Sequence, residues 1–325
     1  MSSRVLALAV VLGSIAGFAG LGAPASRAQE VGNWKFSDAN KPIKVVVVGG
    51  SVSAYPAGSF SQWLPSACDK IEVVNRGQAK LGAFELRQRF IAQVLKNRRV
   101  EKNADLWLVF LGGLNSVGDP DKTNLEVGKT MRTAKEAGLS TMLVSINPWG
   151  AETDRRWKGV DGVAYWEHTQ KTVDFGMRRL TPQEALGRHS AELSEGPDGK
   201  SWVAGALPDI AIDLWDSAMR HRDAAPRDMA KLEREAKRST WLKKRLMTAK
   251  DPDAERARIL ALAAELPRWF MRPELMAFDA IHPNADGHKI IAQAICNKAP
   301  ASWGCQCERL DSLAWDRRSN APKAL

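Results

Sequence analysis

The chain has 325 residues, of which 44% are hydrophobic and 26% are charged. This balance is typical of a globular protein and excludes a disordered or fibrous chain. The formal net charge is +10, but the basic residues are spread through mixed-charge segments that lack an interleaved pattern of aromatic residues. We therefore expect a folded protein with no nucleic-acid partner.

An export signal is predicted for residues 1–28. Arg4 supplies a short positive start, Val5 to Gly22 contain no charge, and small residues stand at Ala28 and two positions before it. An uncleaved membrane anchor is the alternative, which the four glycines of the apolar stretch disfavour. Cleavage leaves 45 basic against 37 acidic residues, a net charge of +8, on residues 29–325. We expect this mature chain to be periplasmic or secreted, without stable membrane insertion.

The four cysteines are Cys68, Cys296, Cys305 and Cys307, an even number that suits an oxidising compartment. One residue separates Cys305 from Cys307, which is too close for an easy bridge. We therefore expect these two to pair with Cys68 and Cys296, in one order or the other. A metal site is the alternative, which Cys-Gln-Cys supports only weakly. We expect no metal and no cofactor.

Apolar, largely β-branched runs that end at glycine or asparagine predict buried strands, and helical spacing of apolar residues lies between them. The strands are Ile43 to Val48, Ile71 to Asn75, Asp105 to Leu111, Thr141 to Ile146, and Asp209 to Leu214, whose alternation also suits a helix. The helices are Leu81 to Leu95, Leu125 to Ala137 and Val163 to Leu180. Strands that alternate with helices predict a parallel sheet covered on both faces.

Near the carboxyl end, a carboxylate stands three residues before a histidine, in Asp279-Ala280-Ile281-His282-Pro283-Asn284. At this spacing Asp279 can reach the Nδ1 atom of His282 within one turn. Pro283 disfavours helical geometry at His282 and suits the first position of a following helix. The remaining ring nitrogen would face the crevice beyond the carboxyl ends of the strands.

Three further blocks follow predicted strands: Gly49-Gly50-Ser51-Val52, Asn75-Arg76-Gly77 and Gly113-Leu114-Asn115. With the aspartate–histidine block they resemble, in order, the SGNH or GDSL-like hydrolase family. This family contains serine esterases and lipases on a flavodoxin-like three-layer αβα fold. The resemblance extends from Ile43 to about Ile295, apart from an insertion.

The resemblance implies that Ser51 is the nucleophile, that His282 is the general base and acid, and that Asp279 orients His282. It also implies an oxyanion hole made by the backbone amides of Ser51 and Gly77 and the side-chain amide of Asn115.

Two positions differ from the family pattern, because Gly50 and Ser116 stand where an aspartate is usual. Neither position carries a triad or oxyanion group, so the implied chemistry is retained. His288 falls inside the helix that follows the triad, where we expect a structural role.

Residues 217–278 interrupt the alternation of strands and helices. They contain two charged helical stretches, about Asp228 to Ala249 and Asp251 to Leu266, followed by Trp269 and Phe270. The apolar stripe of the second stretch must be buried, and the segment ends directly before Asp279. We therefore expect a helical insertion that forms a lid or wall of the crevice. A helical pair packed on the outside of the domain is the alternative.

The resemblance implies an exported serine esterase that hydrolyses an acyl ester through an acyl-enzyme on Ser51, and we expect a small acyl group such as acetyl on a saccharide. A lipase or thioesterase would need an apolar acyl channel. An envelope polysaccharide O-acyltransferase would pass the acyl group from the same triad to a sugar hydroxyl. A non-catalytic envelope-binding protein is the last alternative. Trp149, Trp157 and Trp166 follow the fourth strand and are candidates for stacking on sugar rings, although most tryptophans pack in cores.

Overall fold

The structure is a computed structural model that describes residues 32–100, 105–196 and 198–325. The predicted export signal at residues 1–28 lies outside the described residues. Within the described ranges, no helix combines the length and the apolar character needed to cross a membrane.

The centre of the fold is a five-stranded sheet in the order β2-β1-β3-β4-β7, with every neighbouring pair parallel. The strands are β1 (Ile43–Gly49), β2 (Ile71–Asn75), β3 (Asp105–Leu111), β4 (Ser140–Val144), β5 (Ser194–Glu195), β6 (Ser201–Trp202), β7 (Ile210–Ile212), β8 (Leu313–Asp316) and β9 (Ala321–Ala324). If only the five strands of this sheet are numbered, β7 becomes the fifth strand and the order is 2-1-3-4-5, as in flavodoxin-like folds. The predicted parallel sheet is confirmed, and the segment at Asp209 to Leu214 contains its fifth strand.

Helices cover both faces of the sheet. They are α1 (Phe60–Ala67), α2 (Ala83–Phe90), α3 (Pro120–Glu136), α4 (Gly162–Gly176), α5 (Pro182–Leu186), α6 (Met229–Ala236), α7 (Thr240–Thr248), α8 (Pro252–Glu265) and α9 (Ala285–Lys298). Successive side chains of β1 point to opposite faces. Val45 and Val47 pack with α1 and α9, whereas Val46 and Val48 pack with α2 and α3. The predicted three-layer αβα architecture is therefore confirmed.

The insertion forms a third apolar cluster away from the two faces of the sheet. Helices α6 and α8 pack there against α4 and against the loop that follows β4. The single helix predicted from Asp228 to Ala249 is wrong, because α6 ends at Ala236 and α7 begins at Thr240. The Ser239 hydroxyl accepts a hydrogen bond from the Leu242 amide at 2.9 Å and so caps a new helix.

The start of α3 is also earlier than the periodicity predicts, at Pro120 instead of Leu125. Asp119 caps this helix by accepting the Lys122 amide at 3.2 Å, and Pro120 occupies the first helical position. This is the favoured place for proline in a helix, since its missing N–H would have no partner there.

Two disulfides join the carboxyl-terminal segment to the body of the domain. Cys68 is bonded to Cys305, and Cys296 is bonded to Cys307. The expectation that Cys305 and Cys307 pair with the other two cysteines is confirmed, and the structure decides the order. The bridges link the ends of α1 and α9 to the segment that leads into the β8–β9 hairpin.

Candidate active site

The Asp279–His282 pair has the geometry expected of an oriented base. The Nδ1 atom of His282 lies 2.9 Å from Oδ1 and 2.8 Å from Oδ2 of Asp279. Oδ1 also accepts the backbone amides of Ile281 at 2.9 Å and His282 at 2.8 Å. These bonds place a proton on Nδ1 and leave Nε2 as the acceptor.

The pKa of Asp279 is lowered from its ordinary value of 3.8. Partial burial acts in the opposite direction and is the largest single influence, but the two backbone amides and the His282 ring together outweigh it. Asp279 is therefore a carboxylate at neutral pH, and it stabilises positive charge on His282 when the ring takes up a proton.

The loop that carries this pair is fixed at both ends. The Ala277 amide donates to the His282 carbonyl at 2.9 Å, and the Asn284 side-chain amide donates to the Glu274 carbonyl at 2.7 Å. From the loop after β4, the Gly150 amide donates to the Ala280 carbonyl at 2.8 Å. The loop after β4 thus holds the aspartate–histidine turn against the sheet.

Ser51 lies in the turn that follows β1 and lines a small pocket. The cavity has a volume of about 20 Å³. Its lining consists of Gly50, Ser51, Val52, Leu81, Leu111, Gly112, Gly113, Leu114, Asn115, Ile146 and Asn147. The neighbouring Ser53 is fully buried, and its hydroxyl points to the Leu111 carbonyl at 3.4 Å. Of these two serines, Ser51 is therefore the one whose hydroxyl is available for reaction.

The three predicted oxyanion donors differ in whether their N–H groups already donate a hydrogen bond within the protein. Asn115 shares the pocket with Ser51, and one of its two amide hydrogens is donated to the Leu81 carbonyl at 3.0 Å. The Gly77 amide is donated to Oδ1 of Asn75 at 2.8 Å. For Gly77 to bind an oxyanion, this single N–H must be shared with Asn75 or released by it. The Ser51 amide has no hydrogen-bond acceptor in the described part of the chain.

Glycine is required at position 77 by a close approach of two backbone segments. A Cβ atom there would lie 2.7 Å from the Ala54 amide nitrogen and 2.8 Å from the Ser53 carbonyl carbon. The end of β2 can therefore pack directly on the turn that carries Ser51.

The pocket with Ser51 and the Asp279–His282 turn lie at the same end of the sheet, but Ser51 and His282 are not hydrogen-bonded to each other. Ser51 and Asn115 line one pocket, while His282 is not among the residues that line it. Within the described ranges, no hydrogen bond joins the Ser51 hydroxyl to the imidazole. Catalytic hydrogen bonds are often long in unliganded enzymes and shorten when the substrate binds.

Two asparagines hold the site together and were given no role from the sequence. Asn75 donates its side-chain amide to the Ser53 carbonyl at 2.6 Å and to the Ser61 hydroxyl at 2.8 Å. Asn147 is buried beside Ser51 and donates to the Ile281 carbonyl at 3.3 Å. In the sequence, both asparagines follow predicted strands, which could have indicated a place in the site. An asparagine at a strand end is equally typical of a turn or a helix cap, so the sequence did not single them out.

The tryptophans that follow β4 belong to the core of the insertion cluster. Trp149 and Trp157 are fully buried and pack edge to face at 4.8 Å. These two rings therefore have the packing role that is usual for tryptophan, and the alternative of stacking on a sugar ring is excluded for them because neither ring face is accessible. Trp166 packs against Trp269 at 5.3 Å.

His288 is structural, as predicted, and it links the first helix to the last. It is fully buried between the rings of Tyr55 and Phe60, and its Nδ1 accepts the Phe60 amide at 3.4 Å. Burial, together with a smaller contribution from the nearby charge of His282, lowers the pKa of His288 to about 3 from an ordinary value of 6.5. The folded protein therefore keeps this ring neutral where the unfolded chain would protonate it.

We expect His288 to make the protein less stable as the pH falls. Between pH 6.5 and about 3, the unfolded chain binds a proton at this site that the folded chain does not. The free energy of unfolding should therefore fall by about 1.4 kcal/mol for each pH unit lost in this range. Urea denaturation of the native protein and of His288→Gln at pH 4, 5, 6 and 7 measures the effect. The difference in unfolding free energy between the native protein and His288→Gln should narrow as the pH falls. A difference that stays constant from pH 7 to pH 4 would contradict the prediction.

Comparison with known proteins gives neither a matching family model nor a matching curated protein. Solved structures are similar in backbone course. One is a GDSL-like lipase from Bacteroides thetaiotaomicron, with 13% identity, a TM-score of 0.42, and coverage of 79% of this chain and 87% of that one. Another, from the lipolytic G-D-S-L family of Veillonella parvula, has 9% identity, a TM-score of 0.42, and coverage of 78% and 97%.

A third is a catalytic mutant of an acetylxylan esterase from Geobacillus stearothermophilus, with 14% identity and a TM-score of 0.39. The similarity covers 86% of this chain and 98% of that one. The chain is thus similar to solved proteins described as GDSL-type lipases and acetylxylan esterases.

Proposed function

We propose that the protein is an exported serine esterase that removes a short acyl group, such as acetyl, from a saccharide. Ser51 is the nucleophile, His282 the general base and acid, and Asp279 the residue that orients His282. The proposal rests mainly on the Asp279–His282 pair, in which the Nδ1 atom of His282 lies within hydrogen-bond distance of both carboxylate oxygens. This pair lies at the same end of the sheet as the pocket that Ser51 and Asn115 line.

In this reaction the Nε2 atom of His282 takes the Ser51 proton while the serine oxygen bonds to the acyl carbon. The carbonyl oxygen becomes an oxyanion, which the Ser51 amide and the Asn115 side chain stabilise. The bond to the alcohol oxygen then breaks, and this oxygen receives the proton from His282. Water, deprotonated by His282, next attacks the acyl-enzyme, releasing the carboxylic acid and restoring Ser51.

The size of the pocket supports a short acyl group. The cavity beside Ser51 has a volume of only about 20 Å³. Its walls include the apolar side chains of Leu81, Leu111, Leu114 and Ile146. A pocket this small favours an acetyl group, because the long acyl chain of a lipase substrate would have to lie elsewhere.

Export is part of the proposal and has two kinds of support. Residues 1–28 have the pattern of a cleavable signal. The two disulfides are of a kind that persists in oxidising compartments and is rare in the cytosol.

The test is hydrolysis of p-nitrophenyl esters with acyl chains of two, four, eight and twelve carbons. We expect kcat/KM to be highest for acetate, because the pocket beside Ser51 is small. It should fall by at least about tenfold at eight carbons, which corresponds to about 1.4 kcal/mol of transition-state stabilisation. A fluorophosphonate should label the protein at Ser51, as located by mass spectrometry. No labelling together with no ester cleavage would contradict the proposal, and a maximum at eight or twelve carbons would indicate a lipase.

The same assay with an added oligosaccharide acceptor separates a hydrolase from an O-acyltransferase. A hydrolase should release free acetate in proportion to the ester consumed. Acetate that appears mainly on the sugar would instead identify a transferase.

A further inference from the structure

An aromatic side chain lies against the proposed catalytic base and faces solvent. Phe278, the last residue of the insertion, is 74% exposed. Its ring stacks on the imidazole of His282 with 4.8 Å between ring centroids and an angle of 24° between ring planes. The side chain of His282 is itself only 15% exposed. Phe278 therefore covers part of the base while its own outer surface is open.

The position of Phe278 is set by the same contacts that fix the triad loop. Directly before it, the Ala277 amide bonds to the His282 carbonyl at 2.9 Å. Met276 forms a β-bridge with Pro283, so the chain closes on itself around the turn. The backbone that carries Phe278 is thus held beside the base.

The role of His282 in the reaction determines which part of the substrate the Phe278 ring would contact. During acyl transfer His282 gives its proton to the oxygen of the leaving alcohol, so the alcohol must lie against His282. The acyl group lies on the other side of the reacting carbon, in the pocket of Ser51 and Asn115. A side chain stacked on His282 therefore contacts the alcohol part of the ester and not the acyl part.

The rim of the site beside Asp279, the residue that follows Phe278, is polar and charged. The loop after β4 is bonded to the triad turn through Gly150 and Ala280. On this loop, Asp154 accepts a hydrogen bond from the Arg156 guanidinium at 2.7 Å and lies close enough to Asp279 for their charges to interact. An aromatic face beside such groups suits a ring that has C–H bonds on its face and hydroxyls at its edge. A lipid would instead need a continuous apolar surface.

We propose that Phe278 is a specificity-determining residue that binds the alcohol part of the ester and selects a pyranose ring. This inference rests on the proposed esterase function and adds to it the residue that recognises the sugar. The stacked ring contacts the C–H face of the sugar unit that carries the ester, while the polar rim contacts its hydroxyls.

The test compares two acetate esters that differ only in the alcohol: a partially acetylated xylo-oligosaccharide and ethyl acetate. In Phe278→Ala the ratio of their kcat/KM values should fall by about tenfold, because the alkyl ester has no ring to stack. Phe278→Tyr keeps the aromatic face and should retain the native ratio within about twofold. Met247→Ala removes another exposed apolar side chain of the insertion, 85% exposed on α7, and serves as the matched control. An unchanged ratio in Phe278→Ala would overturn the proposal.

A binding measurement separates failure of this inference from failure of the esterase proposal. Titration calorimetry with xylotetraose and cellotetraose, which carry no ester, needs no catalysis. The native protein should bind at least one of them, and Phe278→Ala should bind it about tenfold more weakly. Absence of binding by the native protein, or equal binding by both proteins, would refute the role of Phe278 even if the esterase activity is found. Absence of acetate release together with Phe278-dependent sugar binding would refute the esterase proposal alone.

Discussion

Replacement of Ser51 by alanine is expected to lower kcat for acetate esters by at least about 10³-fold, and by up to about 10⁶-fold. The hydroxyl supplies the atom that bonds to the acyl carbon, and no other group in the pocket can replace it. Circular dichroism and the urea midpoint should stay close to native, because the Ser51 hydroxyl makes no hydrogen bond within the described ranges. The measurement is steady-state hydrolysis of p-nitrophenyl acetate.

Ser53→Ala is the matched control for this variant. Ser53 lies two residues further along the same turn, is fully buried, and donates its hydroxyl to the Leu111 carbonyl at 3.4 Å. We expect its kcat to stay within about threefold of native and its fluorophosphonate labelling to persist. Equal loss of activity in both variants would indicate that the turn has been disturbed, and native activity in Ser51→Ala would refute the assignment of the nucleophile.

Replacement of Asp279 by asparagine is expected to lower kcat by about 10²- to 10⁴-fold, less than the loss of the nucleophile. The carboxylate binds Nδ1 through both oxygens and thereby keeps Nε2 free of a proton. An asparagine can present its amide group to Nδ1, which stabilises the wrong tautomer of His282. It also removes the negative charge that offsets the imidazolium formed during the reaction.

Asp286→Asn is the control for this second variant, because Asp286 lies on the first turn of α9, four residues beyond His282. Its kcat should remain within about twofold of native. A loss smaller than about tenfold in Asp279→Asn would mean that the pair at Asp279 and His282 does not orient a catalytic base.

The sequence by itself determined the elements whose signals are local. The valines of β1 are β-branched, apolar on both sides of the strand, and followed by glycine, so no amphipathic helix competes with a buried strand. The Asp279–His282 pairing is local in the same sense, since two side chains three residues apart in a turn bond without help from the rest of the fold. The alternation of strands and helices was then sufficient for the three-layer architecture.

Only the tertiary structure decided the features that depend on contacts between distant segments. The break between α6 and α7 depends on a cap at Ser239 that helical periodicity does not register. The burial of Trp149 and Trp157 depends on the insertion packing over the loop after β4.

The cysteine order and the engagement of the Gly77 amide by Asn75 are likewise products of the folded chain. So is the placement of Phe278 on the His282 ring. Spacing along the chain specifies which residues face the same way within one element. The partners that meet across elements are chosen by packing and by hydrogen-bond satisfaction, which depend on the whole fold at once.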